Sequence, residues 1–377
     1  MTKKKNNHFV PRSYLKRFCA GSEKQITLYN IKSGRTIPDA SIKFQCSRDY
    51  FYTRNPIYED EFRKIEDRQL SLLNEIDASS TIPAYGSKDH RDLITCVIFQ
   101  AGRTASTAAH FNYIANQFGT AMLRRHLENE GETELLEYLP HIRIATDGAI
   151  MDSIGEHLVM YPLIEDLDCT LLLNATSEDF LTSDHPVALC NGMPGIIPTE
   201  RTVGFASRGL ILLYPISPKA ILLFSDPEVY KIENPDKPQT LQKVRDVVEL
   251  NLAQFGNANE NVYFSDADAV QETLAVFRKR AAIVRPAPPL LQETPLVSID
   301  GRTGVLLNLP FPIRRLPLPK PIEIRFAART RRFRRGDALV RDPERVRFVS
   351  AMLEVFHEKR KRATEQATRD QDDRDDD

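Results

Sequence analysis

Gly209-Leu210-Ile211-Leu212-Leu213-Tyr214-Pro215-Ile216-Ser217-Pro218-Lys219-Ala220-Ile221-Leu222-Leu223-Phe224-Ser225 places two short apolar runs on either side of a proline-containing link. Runs of this length bounded by turn residues read as buried strands, and so short a link joins strands that are neighbours. Similar runs lie at 167–175, 180–190 and 262–265. Nearer the N-terminus, 25–31 alternates apolar and polar residues before Lys32-Ser33-Gly34-Arg35, and 49–52 is another short strand candidate. Helical spacing dominates between these strands. Phe62, Ile65, Gln69, Leu72, Leu73 and Ile76 trace a stripe along 59–76. One long helix is expected over 88–127, and others over 147–161, 240–254 and 267–279. The fold class is therefore α+β: a helical layer packed on a central, mostly antiparallel sheet.

With 377 residues, 41% hydrophobic and 27% charged, the chain has the composition of a globular protein large enough to bury a core without disulfides. Its five cysteines (Cys19, Cys46, Cys96, Cys169, Cys190) are scattered and form no C-x-x-C pair, which argues against a zinc knuckle or a disulfide framework. No run approaches the ~20 apolar residues of a membrane span, and the Lys-rich start is not followed by a signal-peptide core. The expected location is the cytoplasm.

The net charge of -1 hides a segregation. Residues 312–362 hold sixteen Lys and Arg against six Asp and Glu, a local net of +10, whereas 363–377 hold two Arg against seven acids. Prolines cluster between 286 and 321, where they exclude a long helix, and Asp300-Gly301 between apolar runs predicts a hairpin. Three parts follow: a main α+β domain over 1–285, a Pro-rich and basic extension over 286–362 ending in a helix from 343, and an acidic tail over 363–377 too polar to bury and expected to be disordered.

His8-Phe9-Val10-Pro11-Arg12-Ser13-Tyr14-Leu15-Lys16-Arg17-Phe18 is the most distinctive string in the chain. It resembles the H-x-V-P-x-x-Y-L-x-x-F opening of a bacterial domain-of-unknown-function family, number 4238. Leu28-Tyr29-Asn30, Tyr50-Phe51-Tyr52, Gln100-x-x-Arg103, Phe180-Leu181-Thr182-Ser183-Asp184-His185-Pro186 and Pro215-Ile216-Ser217-Pro218 extend the resemblance across residues 7–265. The family name implies no activity.

Polar residues set inside apolar motifs are the candidates for chemistry. His8 precedes a helix start, where an imidazole serves as acid, base or metal ligand, or else anchors the arm on a backbone carbonyl. Glu66 borders the buried face of its helix; it either shares a divalent ion with another acid or pairs with Arg63 or Arg68. Gln100 and Arg103 share a helix face, and a buried guanidinium there needs a carboxylate within the fold or an anionic ligand. Asp184 follows a strand, beside Thr182 and Ser183, a position suited to catalysis or to a turn that caps the backbone before Pro186. Arg331, Arg332, Arg334 and Arg335 around Phe333 suit phosphates and stacked bases, or else a solvated face balanced by the acidic tail.

Walker A, G-x-G-x-x-G, H-E-x-x-H and G-x-S-x-G motifs are absent, which disfavours P-loop kinases, dinucleotide-dependent dehydrogenases, zinc proteases and serine hydrolases of the elbow type. The leading expectation is a metal-assisted, nuclease-like phosphodiester hydrolase. In it Asp184 and Glu66 hold Mg²⁺ or Mn²⁺, His8 acts as base or ligand, and Arg103 steadies the phosphate, with Gln100, Thr182 and Ser183 beside the substrate. A bacterial defence or toxin role is expected by analogy. The alternative is a non-catalytic module that binds nucleic acid or an acidic protein through the Arg-rich extension.

Overall fold

The protein is described by a computed structural model over residues 6–21, 23–52, 56–146, 148–193, 204–235, 237–297, 303–308, 315–325 and 340–375. The chain opens with β1 (Asn6–His8) and one helical turn, α1 (Arg12–Leu15). Pro11 holds Val10 out of helical conformation and itself serves as the N-cap. β2 (Gln25–Asn30) and β3 (Arg35–Ser41) form a hairpin whose Gly34 takes a φ of 67°. β4 (Ser47–Asp49) pairs antiparallel with β1. The strand expected over 49–52 thus lies earlier, because Tyr50 turns left-handed at φ 52° and ends it.

Helix α2 (Pro56–Ser79) follows the predicted stripe. The single helix expected over 88–127 is two, α3 (Lys88–Gly102) and α4 (Ala105–Glu130). Thr104 divides them by capping α4 from its side chain, which accepts from the Thr107 N–H. Gly102 sits at the break because α5 (Ala149–Val159) passes so close that an added Cβ would lie 2.7 Å from the His157 side chain.

The central sheet has the order β11–β5–β9–β8–β7. β5 (Asp168–Asn174), β9 (Ala220–Ser225), β8 (Leu210–Ser217) and β7 (Ala188–Asn191) pair antiparallel, and β11 (Gln239–Leu241) runs parallel to β5. β8 and β9 are unbroken apolar runs because both of their faces are covered. Leu210, Leu212 and Tyr214 join one core with α3 and α5; Ile211 and Leu213 join the other with α6 (Val244–Asn257). The helix expected from 240 begins at Val244 because Leu241 belongs to the sheet.

A second antiparallel sheet has the order β3–β2–β12–β6 and includes β6 (Thr182–Ser183) and β12 (Asn261–Phe264), flanked by α7 (Gln271–Val284). The apolar run 180–190 is therefore not one strand. It breaks around Asp184-His185-Pro186 and sends β6 to one sheet and β7 to the other.

The C-terminal extension is built into this body. β13 (Gln292–Val297) and β14 (Thr303–Asn308) form the expected hairpin. β15 (Ile322–Ile324) pairs with β10 (Tyr230–Ile232), while Leu316 and Ile322 enter the second core. α8 (Pro343–Asp375) buries Val349 in the first core. It continues to Asp375, and the Lys361–Glu365 pair at i,i+4 spacing spans the start of the acidic segment. No helix among the described residues is long and apolar enough to cross a membrane.

Candidate functional site

The opening motif interlocks with the turn between β8 and β9. Tyr14 stacks on Tyr214 with ring centroids 5.3 Å apart, and its hydroxyl donates to the Pro215 carbonyl and meets Thr182 Oγ1 at 2.8 Å. Arg17 Nε donates to the Ile216 carbonyl at 2.6 Å. Val10, Leu15 and Phe18 are fully buried. The motif residues other than His8 thus assemble the core and hold β1 in place.

A cleft of about 100 Å³ opens where β1 meets α2 and the end of α3. Asn7 and His8 form one wall, and Tyr52 and Phe62 form its apolar floor. α2 contributes Glu59, Arg63 and Glu66 from one face, at i, i+4 and i+7. Arg103 closes the inner end with only 1% of its surface exposed. It occupies the break between α3 and α4, and helical geometry does not set its direction there.

Arg103 is the hub. Nη2 donates to Glu66 Oε1 at 2.5 Å and to the His8 carbonyl at 2.8 Å; Nε donates to the Tyr52 hydroxyl at 2.8 Å. Tyr52 in turn donates to the same His8 carbonyl at 3.1 Å. The guanidinium carbon lies 4.8 Å from the Phe99 ring centroid. Burial opposes the charge on Arg103, but the Tyr52 oxygen and Glu66 outweigh it and hold the group above its ordinary value. Burial pushes the Tyr52 hydroxyl up to about 12. Of the two partners weighed for Arg103, the internal carboxylate is the one present, and Glu66 pairs with Arg103 rather than with Arg63 or Arg68. Gln100 sits one turn back on α3 and donates to the Phe9 carbonyl at 3.0 Å, so Gln100 and Arg103 fix consecutive residues of the arm.

The His8 ring meets the Lys43 carbonyl through Nε2 at 3.1 Å. A carbonyl only accepts, so Nε2 carries the hydrogen and, in the neutral ring, Nδ1 is the basic nitrogen. Asn7 donates to Glu59 Oε1 at 2.5 Å and accepts from the Phe51 N–H at 3.0 Å.

Asp184 does not line this cleft. It is 4% exposed, and its oxygens accept the N–H groups of Asn259 (2.7 Å), Glu260 (2.7 Å) and Asn261 (3.1 Å). Burial raises its carboxyl to about 6 despite those three donors. This carboxylate ties the loop before β12 to the end of β6, a longer-range cap than a turn before Pro186. Thr182 is held by Tyr14, and Ser183 Oγ donates to Gln254 Oε1 at 3.0 Å; both are fully buried. Among the described residues, no group of three or more His, Cys, Asp or Glu is placed to hold a metal ion.

Arg331, Arg332, Arg334 and Arg335 lie outside the described residues. Four of the positions that follow are turned onto the body's own acids: Arg341 to Asp166 at 2.9 Å, Arg345 to Glu165 at 2.9 Å, His357 to Glu156 at 2.8 Å and Arg360 to Asp152. The counterions of these four are thus α5 and the residues after it, while Lys361 pairs with Glu365 of the acidic tail.

The sequence singled out His8, Glu66 and Arg103, and the structure brings these three to one cleft. Asn7, Tyr52, Glu59 and Arg63 were not singled out as site residues. The available signal was the spacing of Glu59, Arg63 and Glu66 on one face of α2.

Comparison with curated proteins and with solved structures found no match in either set. A family model described as a protein of unknown function (DUF4238) matches residues 6–268. The match begins at the first residue of β1 and takes in every element that builds the cleft. The C-terminal extension lies beyond it, and the chain belongs to the DUF4238 family.

Proposed function

We propose that the cleft hydrolyses phosphodiesters of nucleic acid by acid–base chemistry. The observation that carries this reading is the convergence of His8, Glu66 and Arg103, from three separate elements, on one polar cleft. His8 Nδ1 accepts a proton from water as the new oxygen–phosphorus bond forms, and the departing oxygen is protonated by solvent. Arg63 is largely exposed at the mouth and faces the phosphate charge. Arg103 acts as a positioning residue through Nη2, which fixes the Glu66 carboxylate and the backbone of His8, while its buried Nη1 makes no hydrogen bond. Asp184 has no part in this reading, because both of its oxygens are engaged by backbone donors outside the cleft.

The test is incubation of the purified protein with end-labelled RNA and DNA in Mg²⁺, Mn²⁺ or EDTA, with products resolved on a denaturing gel. Cleavage that falls about 100-fold or more in His8→Ala is the expected result. An inert wild type, or His8→Ala cleaving at the wild-type rate, overturns the proposal. Cleavage of cellular nucleic acid would place the chain among toxins or defence effectors, so its induction is expected to arrest growth and His8→Ala to relieve the arrest.

A further inference from the structure

The rim of the cleft carries an arrangement that the proposed chemistry does not use. A run of aromatic rings in contact passes from Phe9 to Phe51 (centroids 5.2 Å apart), to Tyr52 (5.1 Å), to Phe62 (5.1 Å) and out to Tyr58 (6.3 Å). Tyr52 and Phe62 are the floor of the cleft, and Tyr58 lies beside Glu59 and is 45% exposed. Two further exposed rings adjoin in sequence residues that are bonded to the same wall. Phe44, 67% exposed, follows Lys43, whose carbonyl takes the His8 ring N–H. Tyr50, 43% exposed, precedes Phe51, whose N–H is held by Asn7.

Tyr50 stands at φ 52°, a left-handed conformation that a bulky residue rarely adopts and that persists only where its surroundings impose it. Here the imposing contacts are the Asn7 bond to Phe51 and the Tyr52 bond to His8. Cations are interleaved with the rings. Lys43 Nζ lies 5.4 Å from the Phe44 centroid, the Arg48 guanidinium lies 5.9 Å from that of Phe51, and Arg63 stands at the mouth.

Exposed rings alternating with cations form the surface that single-stranded nucleic acid recognises: bases stack on the rings while the phosphates meet the cations. A duplex keeps its base faces covered and has no use for the rings. We infer that the rim formed by Phe44, Tyr50 and Tyr58 is a stacking platform that delivers single-stranded nucleic acid to the cleft. This inference rests on the proposed phosphodiesterase reading for its destination, but it concerns binding and is tested without turnover.

The experiment measures fluorescence anisotropy of labelled single-stranded RNA and DNA 12-mers, and of the corresponding duplexes, on full-length His8→Ala protein. Single strands are expected to bind more tightly than duplexes. Phe44→Ala and Tyr58→Ala are each expected to weaken that binding roughly 5- to 100-fold. Tyr50→Asn is the decisive variant, because Asn tolerates the left-handed backbone; its melting temperature is expected to hold or rise while binding weakens. Equal affinity for duplex and single strand overturns the inference, as does binding indifferent to all three substitutions. Ring-dependent binding without cleavage by the wild type would sink the hydrolase reading alone, and cleavage indifferent to the rings would sink this inference alone.

Discussion

Asp184→Asn separates the structural reading of this carboxylate from a chemical one. Oδ1 accepts one backbone N–H and Oδ2 accepts two. Asparagine keeps one oxygen, so its cheaper orientation leaves one N–H facing an amide NH₂ in a buried site. An unsatisfied buried donor costs about 1–3 kcal/mol, and here two groups are frustrated, giving a loss of about 2–6 kcal/mol. The pH dependence adds a second signature. The folded carboxyl is raised to about 6, above its unfolded value of 3.8, so its protonation favours the fold. Its contribution is complete below the unfolded value and is lost as pH rises through about 6. Linkage makes this group alone more stabilising at pH 5 than at pH 7.5, by on the order of 1 kcal/mol. Urea unfolding followed by circular dichroism, at both pH values, should show a larger gap between wild type and Asp184→Asn at pH 5. A variant within about 0.5 kcal/mol of wild type at both pH values would refute the argument.

Other substitutions test other contacts. Arg103→Met removes three hydrogen bonds and leaves Glu66 unpaired, so chemical denaturation should show a loss of about 3–5 kcal/mol; Arg103→Lys should recover only part of it, since an ammonium cannot reach Tyr52 and Glu66 in the same fork. Tyr14→Phe, which strands the Pro215 carbonyl and Thr182, should lose about 1–3 kcal/mol with the far-UV spectrum unchanged. A methyl group at Gly155 would clash with the Phe356 ring, so Gly155→Ala should speed amide exchange along α8, and adding Phe356→Ala should partly restore protection.

The sheet was legible because β8 and β9 are apolar on both faces and their link is short. The division at Arg103-Thr104 was not, since one threonine cap leaves the apolar periodicity of the flanking helices intact. Nor was the split of 180–190, where both halves are buried and only Pro186 marks the change of sheet. For the site, a polar residue set among apolar ones is a signal with two sources. His8, Glu66 and Arg103 answer to a cleft, whereas Asp184 answers to three backbone donors that come from residues about 75 positions later. Sequence spacing carries no trace of those donors. The floor residue Tyr52 was legible as part of a motif, but its hydroxyl bond to the His8 carbonyl depends on the left-handed turn at Tyr50.

The most direct measurement is a crystal structure of His8→Ala with a phosphorothioate-linked single-stranded tetranucleotide. Density for a phosphate beside Arg63 and Glu66, with a base against Tyr58, is the predicted result. An oligonucleotide bound elsewhere on the surface, with this cleft holding only solvent, would contradict the account.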